Sequence, residues 1–116
     1  MINKKLIQDV YYTNEVKTNK KWIDGKPIYR KVVQITTSSS NVTSWTNLSK
    51  IDDIDLLINI FGYINSSSSI KTPVPRYENG SYFIQFLLNN GYIQYRMSGF
   101  LSLPIYLIIE YTKTTD

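Results

Sequence analysis

The chain contains no cysteine and no histidine. The first absence excludes disulfides, thiol nucleophiles and cysteine-bearing zinc sites. The second removes the commonest general base and every histidine-dependent triad. Catalysis would then fall to carboxylates, lysine, serine or tyrosine alone, and no enzymatic activity is expected. Alanine, the strongest helix former, is also absent. Ile, Tyr, Thr, Ser and Asn take its place, residues rich in the β-branched and aromatic types that suit a pleated, half-buried surface. An AT-rich coding sequence would produce the same bias, and the two causes can coexist. Long apolar runs are lacking too: "LPIYLII" is far short of the ~20 residues of a membrane-spanning helix. The N-terminal "MINKKLIQDVYY" carries two lysines but no apolar core of the kind a signal peptide needs. Neither membrane insertion nor export is expected.

What is present describes an ordered chain. Of 116 residues, 42% are hydrophobic and 14% aromatic, ten of them tyrosine, which is too much apolar area for a disordered polypeptide. This length reads as one domain, residues 1–116, with a real core. The net charge is +4 and the pI about 9.2. The basic residues are densest in "KTNKKWIDGK" but are otherwise spread along the chain. Nucleic-acid binders gather them on one face, so a nucleic-acid partner is not expected. Four Asn-x-Ser/Thr triplets begin at Asn41, Asn47, Asn65 and Asn79. In a chain so rich in these residues they arise by chance.

Punctuation along the chain points to strands. Val10 to Val16 reads as a first short strand. Asp24-Gly25 is a turn signal, and Pro27 blocks a helix and extends Lys26. From Ile28 the pattern alternates: Tyr29, Lys31, Val33 and Ile35 share one face, Arg30 and Gln34 the wetter one. "TTSSSNVTSWTNLSK" reads as a polar loop interrupted by Val42, Trp45 and Leu48. "LSKIDDIDLLINIFGYI" fits two templates. As a helix it offers an Ile54/Leu57/Ile58/Phe61 stripe and a Ser49/Asp52 capping box. As a strand it aligns Ile54, Leu56, Ile58, Ile60, Gly62 and Ile64. The isoleucines favour a turn at Asp52-Asp53 and a strand from Ile54. "NSSSSIKTPVPRYENGS" is the longest loop signal. Asn89-Asn90-Gly91 between "SYFIQFLL" and "YIQYRM" predicts a hairpin, because Asn and Gly tolerate positive φ. It aligns Tyr82, Ile84 and Phe86 on one strand and Ile93, Tyr95 and Met97 on the other. After Pro104 a last strand aligns Ile105, Leu107, Ile109 and Tyr111. The expected fold is all-β: a small antiparallel sandwich or jelly-roll-like barrel of about six strands.

The chemistry-bearing residues are few. Asp52, Asp53 and Asp55 are the densest acidic group. A carboxylate pair would serve glycoside hydrolysis, but a solvated turn ahead of an apolar strand is the simpler account. The spacing also lacks the glycine and terminal glutamate of a calcium loop. No G-x-S-x-G elbow and no phosphate-binding glycine loop occurs, and no cofactor or metal is expected. Most of the tyrosines and tryptophans belong in a core or an interface. Trp45, Tyr77 and Tyr82 are the candidates for stacking against sugar rings, with Asn and Ser to bond hydroxyls.

"KWIDGKPIYRK", Lys21 to Lys31, and the closing "YTKTTD", Tyr111 to Asp116, together resemble the two ends of a small C-terminal β-domain of bacteriophage tail-fibre, baseplate and head-fibre proteins. The likeness runs from about Glu15 to Asp116, specific at both ends and loose in the middle. Its motif residues here are Trp22, Asp24, Gly25, Pro27, Tyr29, Tyr111, Thr112 and Lys113. The resemblance implies a non-enzymatic appendage module on the particle surface, made in the host cytoplasm. It further implies a homo-oligomer, with a trimer expected, that contacts other virion proteins and the host surface. The alternative function is a carbohydrate-binding module for host wall or capsule glycans.

Overall fold

The computed structural model of the chain describes residues 11–116. They form an all-β sandwich. The nine strands are β1 (Val16–Lys21), β2 (Pro27–Thr36), β3 (Val42–Lys50), β4 (Ile54–Asn65), β5 (Lys71–Val74), β6 (Arg76–Asn79), β7 (Tyr82–Asn89), β8 (Tyr92–Ser98) and β9 (Pro104–Lys113). One antiparallel sheet has the order β1-β2-β9-β4-β5 and the other β3-β8-β7-β6. The shortest dimension, 20 Å, is that of two sheets about 10 Å apart with their outer side chains.

The core forms where alternation is cleanest. Ile105, Leu107, Ile109 and Tyr111 of β9, the middle strand of the larger sheet, are all fully buried. Opposite them lie Ile84 of β7 and Ile93 and Met97 of β8, also fully buried, with Phe86, Leu88 and Tyr95 packed around them. Each such aliphatic side chain contributes about 1.5–3 kcal/mol on leaving water. The β7–β8 hairpin turns where expected. Asn90 and Gly91 have φ of 54° and 82°, and Asn89 faces Tyr92.

Four expectations are corrected. There are nine strands among the described residues instead of about six. The first is Val16–Lys21: Val10 lies outside the described residues, and 11–15 hold no strand. The supposed polar loop is strand β3, with only 37–41 ahead of it outside a strand. The supposed long connector holds β5 and β6, joined through a cis Val74–Pro75 peptide that passes the chain from one sheet to the other.

These missed strands are all sheet edges. An edge strand must not invite a further strand, so its sequence is deliberately unlike a central one. β1 carries Lys17, Lys20 and Lys21, and β5 carries Pro73. β3 shifts register between Val42 and Thr46 and again between Asn47 and Ser49, which breaks its alternation.

β4 is a strand from Ile54, yet its single-face alignment fails in the first half. Register shifts between Ile54 and Leu57 and between Leu57 and Asn59 turn Leu57 towards the core and leave Leu56 42% exposed. The Leu56 N–H that falls out of the ladder donates instead to Thr112 Oγ1 at 3.2 Å. On β2, Tyr29, Val33 and Ile35 pack on the core as expected. The opposite face is less wet than the pattern implies, because Arg30 is buried with its guanidinium 4.0 Å above the Tyr11 ring.

Candidate functional site

The two end motifs meet in space. β2 and β9 are neighbours, with Tyr29 facing Tyr111 and their rings stacked at 6.1 Å. The Tyr111 hydroxyl donates to Glu15 Oε1, and Lys113 Nζ donates to Glu15 Oε2 at 2.9 Å. Lys113 also sits 5.0 Å from the Tyr29 ring centre. The Trp22–Lys26 turn closes through Gly25 N–H donating to Trp22 O and Trp22 N–H donating to Lys26 O, both at 2.9 Å. Asp24 Oδ1 accepts from Lys26 N–H at 3.0 Å, Gly25 has φ 86°, and Pro27 opens β2. Lys26 Nζ then reaches Asp55 Oδ2 at 2.9 Å and the Lys113 carbonyl at 3.2 Å. Tyr29, Tyr111, Thr112 and Lys113 thus take part in joining β2, β4 and β9, while Trp22, Asp24, Gly25 and Pro27 shape the turn that launches β2.

Replacing Lys26 with methionine keeps the stem and removes the ammonium. The pair is half-exposed, with side-chain accessibilities of 26% and 35%. A loss of about 1 kcal/mol in urea unfolding is therefore expected, and an unchanged midpoint would show that the turn holds itself.

Asp52 and Asp53 form the β3–β4 turn, Asp53 at φ 59° with its carbonyl accepting from Thr114 N–H at 2.7 Å, while Asp55 is committed to Lys26. Among the described residues no three acidic side chains gather as a metal site would require. Among the described residues no helix is long and apolar enough to cross a membrane. A shallow depression of about 310 Å³ at the end of β2 and β9 is lined by Gln34, Ile35, Thr36, Pro104, Ile105 and Tyr106. Its lining includes no carboxylate and no cation.

The outer face of the four-stranded sheet is different. Cross-strand partners share a face, so the register puts Tyr77 beside Phe83, Gln85 beside Arg96, and Asn47 beside Gln94. Their side chains form one row across all four strands. Tyr77 of β6 stacks on Phe83 of β7 at 5.9 Å. The Arg96 guanidinium of β8 lies 5.8 Å from the Phe83 ring centre and 4.9 Å from that of Trp45 on β3. Arg96 Nε donates to Gln85 Oε1 at 2.8 Å, and Gln94 Nε2 donates to Asn47 Oδ1 at 2.8 Å. With strands about 4.8 Å apart, the row crosses roughly 14 Å of sheet and runs obliquely along it, because Phe83 faces Ser98 while Arg96 faces Gln85. Trp45 and Tyr77 at its two ends are exposed, at 37% and 63%.

Of the three aromatic candidates, the fold brings Trp45 and Tyr77 to this row and leaves Tyr82 out. Tyr82 alternates with Phe83, so it belongs to the inward side, at the sandwich rim, edge-on to Phe100 at 6.1 Å. Phe83, Gln85, Gln94, Arg96 and Asn47 join the site without having been singled out from the sequence. The hairpin turn could have supplied the Gln85–Arg96 pair, because a two-residue loop at 90–91 sets the register of both strands. Nothing in the sequence signals Trp45 beside Arg96, since a register shift separates Val42 from Thr46.

No protein family, characterised protein or solved structure matches this chain.

Proposed function

We propose that the chain is a non-enzymatic carbohydrate-binding module of a bacteriophage appendage, with the outer face of the β3-β8-β7-β6 sheet as its binding surface. The row Tyr77–Phe83–Arg96–Trp45 carries the reading. Aromatic faces stack against the apolar sides of sugar rings, and side-chain amides both donate to and accept from hydroxyls. Gln85, Gln94 and Asn47 supply those amides along the row, held by hydrogen bonds before any ligand arrives. The particle setting is supported by the two end motifs, Lys21 to Lys31 and Tyr111 to Asp116. It makes other virion proteins and the host surface the partners, and a trimer the assembly.

Glycan-array binding tests the function. Trp45→Ala and Tyr77→Ala are each expected to weaken binding about tenfold, the worth of one lost stacking contact, with thermal stability within a few degrees of the parent. No glycan bound, or binding unmoved by both substitutions, would overturn the reading. Light scattering tests the assembly: a monomer at high concentration removes the trimer.

A further inference from the structure

We infer that the saccharide this face takes is acidic, its carboxylate or phosphate seated on Arg96 between sugar rings stacked on Trp45 and on the Phe83–Tyr77 pair. The inference rests on the carbohydrate reading above and concerns the class of sugar.

It begins from how Arg96 is held. Among the described residues the ion pairs are Lys26–Asp55, Arg76–Glu78 and Lys113–Glu15, and none includes Arg96. Its Nε is occupied by the neutral Gln85 Oε1, and no described side chain takes its terminal nitrogens. A surface arginine ordinarily finds a carboxylate or stays mobile in water. This one is half-buried and fixed between two aromatic rings. The guanidinium fork matches carboxylate and phosphate bidentately, and a fork already oriented loses little freedom on binding.

Charge complementarity points the same way. The outward positions of β7 are Phe83, Gln85, Leu87 and Asn89, all neutral, and Arg96 is the single charge among those of β8. Lys50 of β3 faces Tyr92 of β8, four residues along that strand from Arg96, and lies outside the row. Next to Tyr77, Glu78 is occupied by Arg76 at 2.6 Å. An anion over Arg96 therefore meets one guanidinium and no carboxylate on the central strands β7 and β8. A neutral sugar would leave the guanidinium half-desolvated without a counter-charge.

The test measures binding of the whole chain to three polymers by calorimetry: a polyuronate, a polyol-phosphate wall polymer and a neutral glucan. The expected result is preference for one or both anionic polymers over the neutral one, weakening as salt is raised. Arg96→Gln should lower affinity for the anionic polymer about tenfold or more and flatten its salt dependence. Arg96→Lys, which keeps charge without the fork, should recover part of it. The salt series on the parent chain stands even if the Gln variant folds poorly. Preference for the polyuronate assigns the anion as carboxylate, and preference for the wall polymer as phosphate. Equal, salt-insensitive binding of neutral and acidic polymers overturns the inference while leaving the carbohydrate module intact. Binding to none of them removes both. A single-stranded oligonucleotide bound more tightly than any saccharide replaces both with a nucleic-acid surface.

Discussion

Gly62→Ala is expected to destabilise the domain by about 3–5 kcal/mol, in the range reserved for specific structural conflicts. Gly62 faces Leu107 in the ladder between β4 and β9, inside the larger sheet. A methyl group built there would collide with the backbone carbonyl of Tyr106 and lie 3.1 Å from the Leu107 Cα. A flexible side chain in the way would swing aside. Here the obstruction is main chain, and β9 is held on its other side by β2, where Gln34 pairs with Tyr106 and Val33 with Leu107. Relief requires moving one strand away from another and weakening a ladder on either side of a fully buried row. Gly80→Ala is the matching control, because a methyl group at Gly80 meets nothing within 4 Å and its φ is not positive. It should stay within about 0.5 kcal/mol of the parent. Urea unfolding of the two variants decides the matter: a Gly62→Ala protein within 1 kcal/mol of the parent would mean that β4 and β9 separate freely.

The second large effect is alkaline unfolding centred on Tyr111. Burial pushes its phenol well above the ordinary value of 10.0, and the hydrogen bond to the Glu15 carboxylate raises it further. The Lys113 ammonium is raised chiefly by its own bond to Glu15. Tyr29 is raised, first by the Asp116 carboxylate. In each case the folded state keeps a proton that the unfolded chain gives up sooner. The stabilisation is complete below pH 10 and is lost as pH rises above it. Each pH unit over which Tyr111 alone stays protonated in the fold but ionised in the unfolded chain removes up to about 1.4 kcal/mol. Such a slope takes a large share of a small domain's 5–15 kcal/mol within a few pH units. Tyr111→Phe keeps the ring against Tyr29 and the core but deletes the ionisable hydroxyl. At pH 7 it should cost about 1–2 kcal/mol, the worth of a hydrogen bond to a charged acceptor. Above pH 10 its stability should fall less steeply, so the gap between the two proteins narrows. Urea midpoints from pH 7 to 12 measure both slopes, and parallel curves would show that Tyr111 does not set the alkaline limit.

The elements legible in the sequence are the ones whose side chains must face a core on one side without interruption. Ile105, Leu107, Ile109 and Tyr111 alternate because β9 is central, and all four are fully buried. Ile84, Phe86, Ile93 and Met97 are legible for the same reason, helped by a turn whose Asn90 and Gly91 accept the positive φ it needs. The site was legible only in its ingredients. Trp45 and Tyr77 stand out as exposed aromatics in polar surroundings, but the same local criterion selects Tyr82, which belongs to the other face.

The sequence by itself determined the class of fold, the central strands, the hairpin and the Asp52-Asp53 turn. These follow from short-range chemistry: side-chain period, β-branching and the φ that particular residues tolerate. Only the tertiary structure decided the edge strands and the aromatic row proposed as a binding face. Edge strands hide their period behind lysines, prolines and register shifts, as β1, β5 and β3 do. The row from Tyr77 through Phe83 and Arg96 to Trp45 joins four strands that span more than fifty residues of chain. A cation between two aromatic rings is a property of sheet order and register. No local stretch of sequence contains it.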